Sequence, residues 1–191
     1  MPVRTLIRGA RRRLGMSQSE LGLRSGIAGS SLSQIESGQR VPTLDTVERL
    51  LSSIGHRLIA IPTTRADVAT AAAAIADSER DGRPDDAFRH FIQVSDNLAA
   101  EHGDVRFALA LVEPEPTGVK HWDAALAALV EYRMREEGLP LPAWAESADR
   151  RLKRSWTINA GTYVVPVDRE QVPPEFLSRG VLVDAVTLAS V

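Results

Sequence analysis

Apolar positions recur along this chain at helical spacing, in blocks punctuated by glycine and proline. Leu32 and Ile35 stand three apart and share a face, so at about 100° per residue Ser30, Ser33, Gln34 and Ser37 point away from them. Before that block, Ser17 followed three residues later by Glu20 writes a capping box, which predicts the start of an earlier helix. Gly26 supplies a permissive backbone between the two helices, and Gly38 stands where a helix-ending residue belongs. Later, Ala66–Ala76 is a strong helix former, and Asp81-Gly82-Arg83-Pro84 stops it. Phe88, Phe91, Ile92, Ser95, Leu98 and Ala99 then predict an amphipathic helix over 85–101, ended near Gly103.

Further on, Val105–Val112 reads as a short helix broken by the Pro114–Pro116–Gly118 loop. Trp122, Ala125, Leu126, Leu129 and Val130 mark a long helix ending at Gly138. Beyond it the chain is proline-rich, with Trp144 and Trp156 read as core anchors. Thr162–Val167 and Gly180–Asp184 are candidate strands, the first weakened by Pro166. The tail from Ala185 is too short to classify.

Two short helices joined by a glycine turn are how a helix-turn-helix is written. The outer face of the second is small, polar and uncharged, which suits a helix entering the DNA major groove. Gln contacts adenine edges bidentately, and Ser donates or accepts without bulk. Together with Leu14-Gly15-Met16 before and Gln39-Arg40-Val41-Pro42-Thr43-Leu44 after, residues 4–55 resemble the Cro/C1-type helix-turn-helix family of bacterial and phage regulators. The resemblance implies a five-helix DNA-binding domain, with helices near 4–14, 17–24, 28–36 and 43–51 and a short turn before Gly55. It implies a buried ion pair between Arg11 and Glu36 and a phosphate-binding role for Gln18. Ser30, Ser33, Gln34, Ser37 and Arg40 complete the expected DNA-binding set.

Three positions depart from the family's pattern. Ala28 replaces the usual Ser or Thr cap, at a cost of about 1 kcal/mol. Gly29 stands where many members carry a base-reading side chain. Gly22 replaces a common Ala, which costs roughly 0.8–1 kcal/mol of helix propensity.

The chain has 191 residues and a net charge of −2, but the charge is unevenly placed. Through Arg65 there are ten arginines against four acidic residues, net +6, whereas the remainder carries thirteen basic and 21 acidic residues, net −8. One end suits a polyanion and the other is repelled by it. Arg4, Arg8, Arg11, Arg12 and Arg13 form a basic cluster suited to phosphates. These features divide the chain into a DNA-binding domain, 1–65, and an acidic, mainly helical partner-binding or regulatory domain, 66–191.

With no cysteine, disulfides and thiolate chemistry are excluded, and a reducing cytoplasm is the natural setting. No apolar run approaches the roughly 20 residues needed to span a bilayer. The expected location is cytoplasmic, associated with the nucleoid when DNA is bound. His56, His90, His102 and His121 lack metal-ligand spacing, and there is no phosphate-binding glycine loop or nucleophile elbow. Hence no catalytic residue, metal or cofactor is expected, and the chain is read as a binding protein rather than an enzyme.

His56–Pro62 is a short β-prone run closed by proline. A lone strand must find a partner for its N–H and C=O groups, and the same strand of a second protomer is the economical one. Leu58, Ile59 and Ile61 are the expected dimer-strand residues, and pairing with the chain's own C-terminal domain is the alternative. The overall expectation is a mainly α protein: a five-helix DNA-binding domain, a short β-strand, then a mostly helical C-terminal domain. Functionally it is a homodimeric repressor of an inverted-repeat operator in double-stranded DNA. Phe176–Ala185 and Pro142-Ala143-Trp144 are weakly similar to C-terminal regions of bacterial antitoxin-like regulators. That similarity implies an autoregulating antitoxin whose acidic surface docks a toxin protein encoded nearby. The alternative is a one-component, ligand-sensing regulator with no toxin partner.

Overall fold

The computed structural model describes residues 3–159 and 167–189. The candidate strand Thr162–Val167 lies, except for Val167, outside the described residues. The chain divides into two compact units, Met1–Pro62 and Thr63–Val191.

In the first unit, α1 (Val3–Arg13), α2 (Gln18–Ser25), α3 (Gly29–Glu36) and α4 (Leu44–Ser52) enclose one core. Ile7, Ala10, Met16, Leu21, Ile27, Leu32, Ile35, Val47, Leu50, Leu51 and Ile54 fill it, with Leu6 packed at its edge. Helix starts are locally encoded. Ser17 accepts from Glu20 N while Glu20 accepts from Ser17 N, and Thr43 caps α4 through Thr46 N. The fifth element, expected as a short turn before Gly55, is a hydrogen-bonded turn at 53–55, with Gly55 N donating to Ser52 O and His56 N to Leu51 O. Three residues are too few to propagate helical bonds.

In the single chain residues 57–61 are assigned no strand. Among the described residues, none of their backbone N–H or C=O groups is hydrogen-bonded.

Gly22 does not merely lower helix propensity. A Cβ there would lie 2.8 Å from the Ile27 carbonyl and 3.6 Å from Gly29 Cα. The turn from α2 to α3 closes against this position, and the absence of a side chain lets it close.

In the second unit, α5 (Val68–Arg80) and α6 (Pro84–Ala100) form an antiparallel hairpin. Asp67 caps α5 by accepting from Thr70 N, and Pro84 opens α6 with two acidic residues in its first turn. Gly103 begins α7 (Gly103–Leu111) rather than merely ending α6. The helix α8 (Lys120–Arg135) is the centre: Trp122 and every residue from Ala124 to Glu131 are buried. A helix apolar on all sides must be enclosed on all sides. Here α5, α6, α7, short 3-10 helices at Ala143–Glu146 and Ala148–Arg150, and the C-terminal elements surround it. Those last elements are β1 (Trp156–Thr157), α9 (Pro174–Leu177), β2 (Val181–Leu182) and α10 (Ala185–Leu188). The strands pair in parallel, Trp156 with Val181 and Thr157 with Leu182.

Buried arginines join the ends of these elements. Arg106 donates to Glu101 O and Ala99 O at the end of α6 and to Arg133 O at the end of α8. Arg133 donates to Ser95 Oγ and to Leu188 O, so it closes α10 onto α6 and α8. Arg179 lies wholly inside and donates to Glu131 at 2.5 Å. Glu136 and Glu137, both exposed, pair with Arg106, and Glu136 pairs also with Arg133. The helix C-termini, rich in unsatisfied carbonyls, attract these cations. Trp144 is buried as expected, whereas Trp156 is half-buried and stacks on His121 with ring centroids 4.0 Å apart.

Candidate nucleic-acid interface

Helix α3 turns Leu32, Ile35 and Glu36 inward, leaving Gly29, Ser30, Ser33, Gln34 and Ser37 exposed on its other side. This follows from the three-residue spacing of the apolar pair. The exposed face therefore carries one long polar side chain, Gln34, among hydroxyls and glycine. Ala28 precedes the helix and gives it no side-chain cap. Ser37 Oγ donates to Gln34 O, so its hydroxyl hydrogen is turned onto its own helix.

Behind this face lies a buried lock between three helices. Arg11 of α1 donates from Nε and Nη2 to the two carboxylate oxygens of Glu36, each at 2.7 Å, and from Nη1 to Met16 O at 2.6 Å. Gln18, the first residue of α2, adds a third bond to Glu36 at 2.8 Å. Burial pushes the Glu36 carboxyl up, but the bonds from Arg11 and then Gln18 prevail and hold it below the usual carboxylate range. The bond from Glu36 raises Arg11 above its ordinary value. The carboxylate thus stays charged and fixes how α1, α2 and α3 meet.

Gln18 is half-buried, with one amide N–H committed to Glu36, and offers a phosphate only the other. Its part in positioning Glu36 has no separate signal in the sequence. The basic cluster at the N-terminus is less uniform than its spacing implies. Arg11 is buried in the lock, Arg8 lies close enough to lower Glu36, and the Arg4 side chain lies over the turn after α3. Gly38 makes that last approach feasible, because a Cβ there would sit 2.6 Å from Arg4 Nη1. Arg40 is exposed beyond α3 but tied back to it, its N–H donating to Gln34 O and its Nη1 to Ser31 Oγ.

Ser30, Ser33, Gln34 and Ser37 are thus brought onto one face, with Arg40 on its flank and Gln18 joined to it through Glu36. Leu58, Ile59 and Ile61 are not part of this group. They follow α4, and Ile59 is 82% exposed. Among the described residues no group of three or more His, Asp or Glu side chains could hold a metal ion, and no helix is long and apolar enough to cross a membrane.

Surface charge in the second unit is more acidic than its composition. Among its described residues four arginines are buried, Arg106, Arg133, Arg150 and Arg179, against two buried carboxylates, Glu131 and Glu175.

The model of the helix-turn-helix family matches residues 7–55, which span α1 from Ile7 through α4 and its closing turn. No curated protein and no solved structure matches the chain.

Proposed function

We propose that this DNA-binding transcriptional regulator, whose residues 7–55 are a Cro/C1-type helix-turn-helix, is an autoregulating repressor and the antitoxin of a toxin–antitoxin operon. The observation that carries the repressor reading is the exposed face of α3, held in place from behind by the Arg11–Glu36–Gln18 lock. A rigid scaffold behind a small polar helix face is what direct readout of base edges needs. In this reading Ser30, Ser33, Gln34 and Ser37 face the bases, and Gln18 and Arg40 flank them. Two copies of the chain engage the two halves of an inverted repeat, joined through residues 57–61, whose backbone groups have no hydrogen-bond partner among the described residues.

The antitoxin reading is supported by the contrast between the two ends. The net +6 segment carries the helix-turn-helix, while the net −8 remainder, its surface made more acidic by four buried arginines, suits a basic protein face. Co-expression tests it. The neighbouring gene is expressed alone, with the whole chain, and with residues 1–65 only, and growth is compared. The expected result is toxicity alone and protection by the whole chain but not by the fragment. A harmless neighbour, or equal protection by the fragment, replaces the antitoxin with a regulator that senses a small ligand.

A further inference from the structure

Arg40 leaves α3 and comes back to it. Its N–H donates to Gln34 O at 3.1 Å and its Nη1 to Ser31 Oγ at 3.2 Å. Ser31 lies in the first turn of α3, three residues before Gln34, and so stands beside it around the helix. The guanidinium is therefore held along the flank of the exposed face. Among the described residues no carboxylate pairs with it, and the Nε–Nη2 edge of its fork is unengaged.

The same first turn has no long side chain of its own. It reads Gly29-Ser30-Ser31 after Ala28, and a Cβ at Gly29 would meet nothing within 4 Å. In a helix-turn-helix the N-terminal residues of the recognition helix contact base edges. Here they bring only hydroxyls, at the place where the loop delivers an arginine.

We infer that Arg40 is a specificity-determining residue that reads a guanine through O6 and N7 in the major groove, with Ser31 as the positioning residue that sets the plane of its guanidinium. A phosphate contact needs the charge but not the plane, whereas bidentate pairing to a base edge needs both. A fork tethered at Nη1 with its other edge open meets the second requirement. The inference rests on the DNA-binding reading of α3.

The test uses the whole chain and duplexes selected from a random library by the unaltered protein. Single base-pair changes through the selected site are then measured against Arg40→Lys, Arg40→Ala and Ser31→Ala. Arg40→Lys keeps the charge but not the fork. The expected result is that Arg40→Lys and Arg40→Ala lose preference at one G·C pair by about ten- to a hundredfold. Ser31→Ala loses part of the preference at that same pair, and the other positions keep theirs. Thermal melts equal to those of the unaltered chain show that the fold is intact. Uniform weakening by Arg40→Ala across all sequences, with a salt slope smaller by about one and Arg40→Lys unchanged, makes Arg40 a phosphate contact and overturns the inference while the DNA reading stands. If the unaltered chain selects no sequence, the specific-binding reading falls and this inference with it.

Discussion

Arg11 and Glu36 meet fork to fork, Nε on one carboxylate oxygen and Nη2 on the other, and so tie the first helix to the last residue of the third. Both are nearly excluded from solvent. Removing either strands a buried charge, which costs on the order of 3–5 kcal/mol, a large share of a small unit's stability. Arg11→Ala and Glu36→Ala are each expected to melt the first unit at far lower temperature and to abolish DNA binding for that reason. Differential scanning calorimetry of the whole chain checks this. A shift of a degree or two means that the pair is dispensable.

Gly22 presents a choice between two effects of opposite sign. Alanine gains roughly 0.8–1 kcal/mol of helix propensity. It also places a methyl carbon 2.8 Å from the Ile27 carbonyl, a backbone atom that cannot move without opening the turn into α3. Overpacking of this kind costs typically 1–3 kcal/mol. The expected net result for Gly22→Ala is a loss of about 1 kcal/mol, or roughly 4–8 °C in a unit of this size. A raised melting temperature would show that the turn relaxes freely.

The helices were legible wherever local rules decide them. Ser17 with Glu20 announces a helix start by its own chemistry, and Asp81-Gly82-Arg83-Pro84 announces a helix stop. The inward turn of Leu32 and Ile35 followed from their spacing alone. What the sequence did not reveal is whatever depends on distant residues. The third bond to Glu36 from Gln18 spans 18 positions, and the bond from Arg133 to Leu188 spans 55. The burial of the second unit's arginines has no local signal, because composition does not say which cation meets a helix end. The strand at 156–157 exists only because Val181-Leu182 lies beside it, and the segment 57–61, with comparable β-propensity, has no such neighbour among the described residues.

That unpaired segment leads to a test of assembly. Antiparallel pairing of two copies through residues 57–61 would satisfy its backbone groups and cover Ile59. Proline at 59 removes one donor and fixes φ. Ile59→Pro is expected to sediment as a monomer and to bind an inverted repeat on the order of a hundredfold more weakly, because the second half-site is no longer engaged in the same complex. A dimer that persists moves the interface elsewhere.

His121 gives the second unit a pH dependence whose sign is fixed by its surroundings. It is stacked on Trp156 and lies 5.8 Å, centroid to centroid, from Trp122. Burial among these rings lowers its pKa from the ordinary 6.5, and the carboxylates of Glu79 and Asp123 oppose this without reversing it. Glu79 is itself occupied by Trp122, whose Nε1 donates to it at 2.6 Å. A histidine with a depressed folded pKa is held neutral by the fold. The stability it contributes is complete above its unfolded value, and it is lost as pH falls from there through the folded value. The whole chain should therefore melt at lower temperature as pH is brought from 7.5 to 5. His121→Phe keeps an aromatic ring against Trp156 and removes the proton site. Its melting temperature is expected to fall less over that interval, with the difference between the two proteins growing below pH 6.5. Parallel pH profiles for the two proteins would mean that His121 takes its proton in the folded state as readily as in the unfolded one, and that the stack on Trp156 does not exclude water from it.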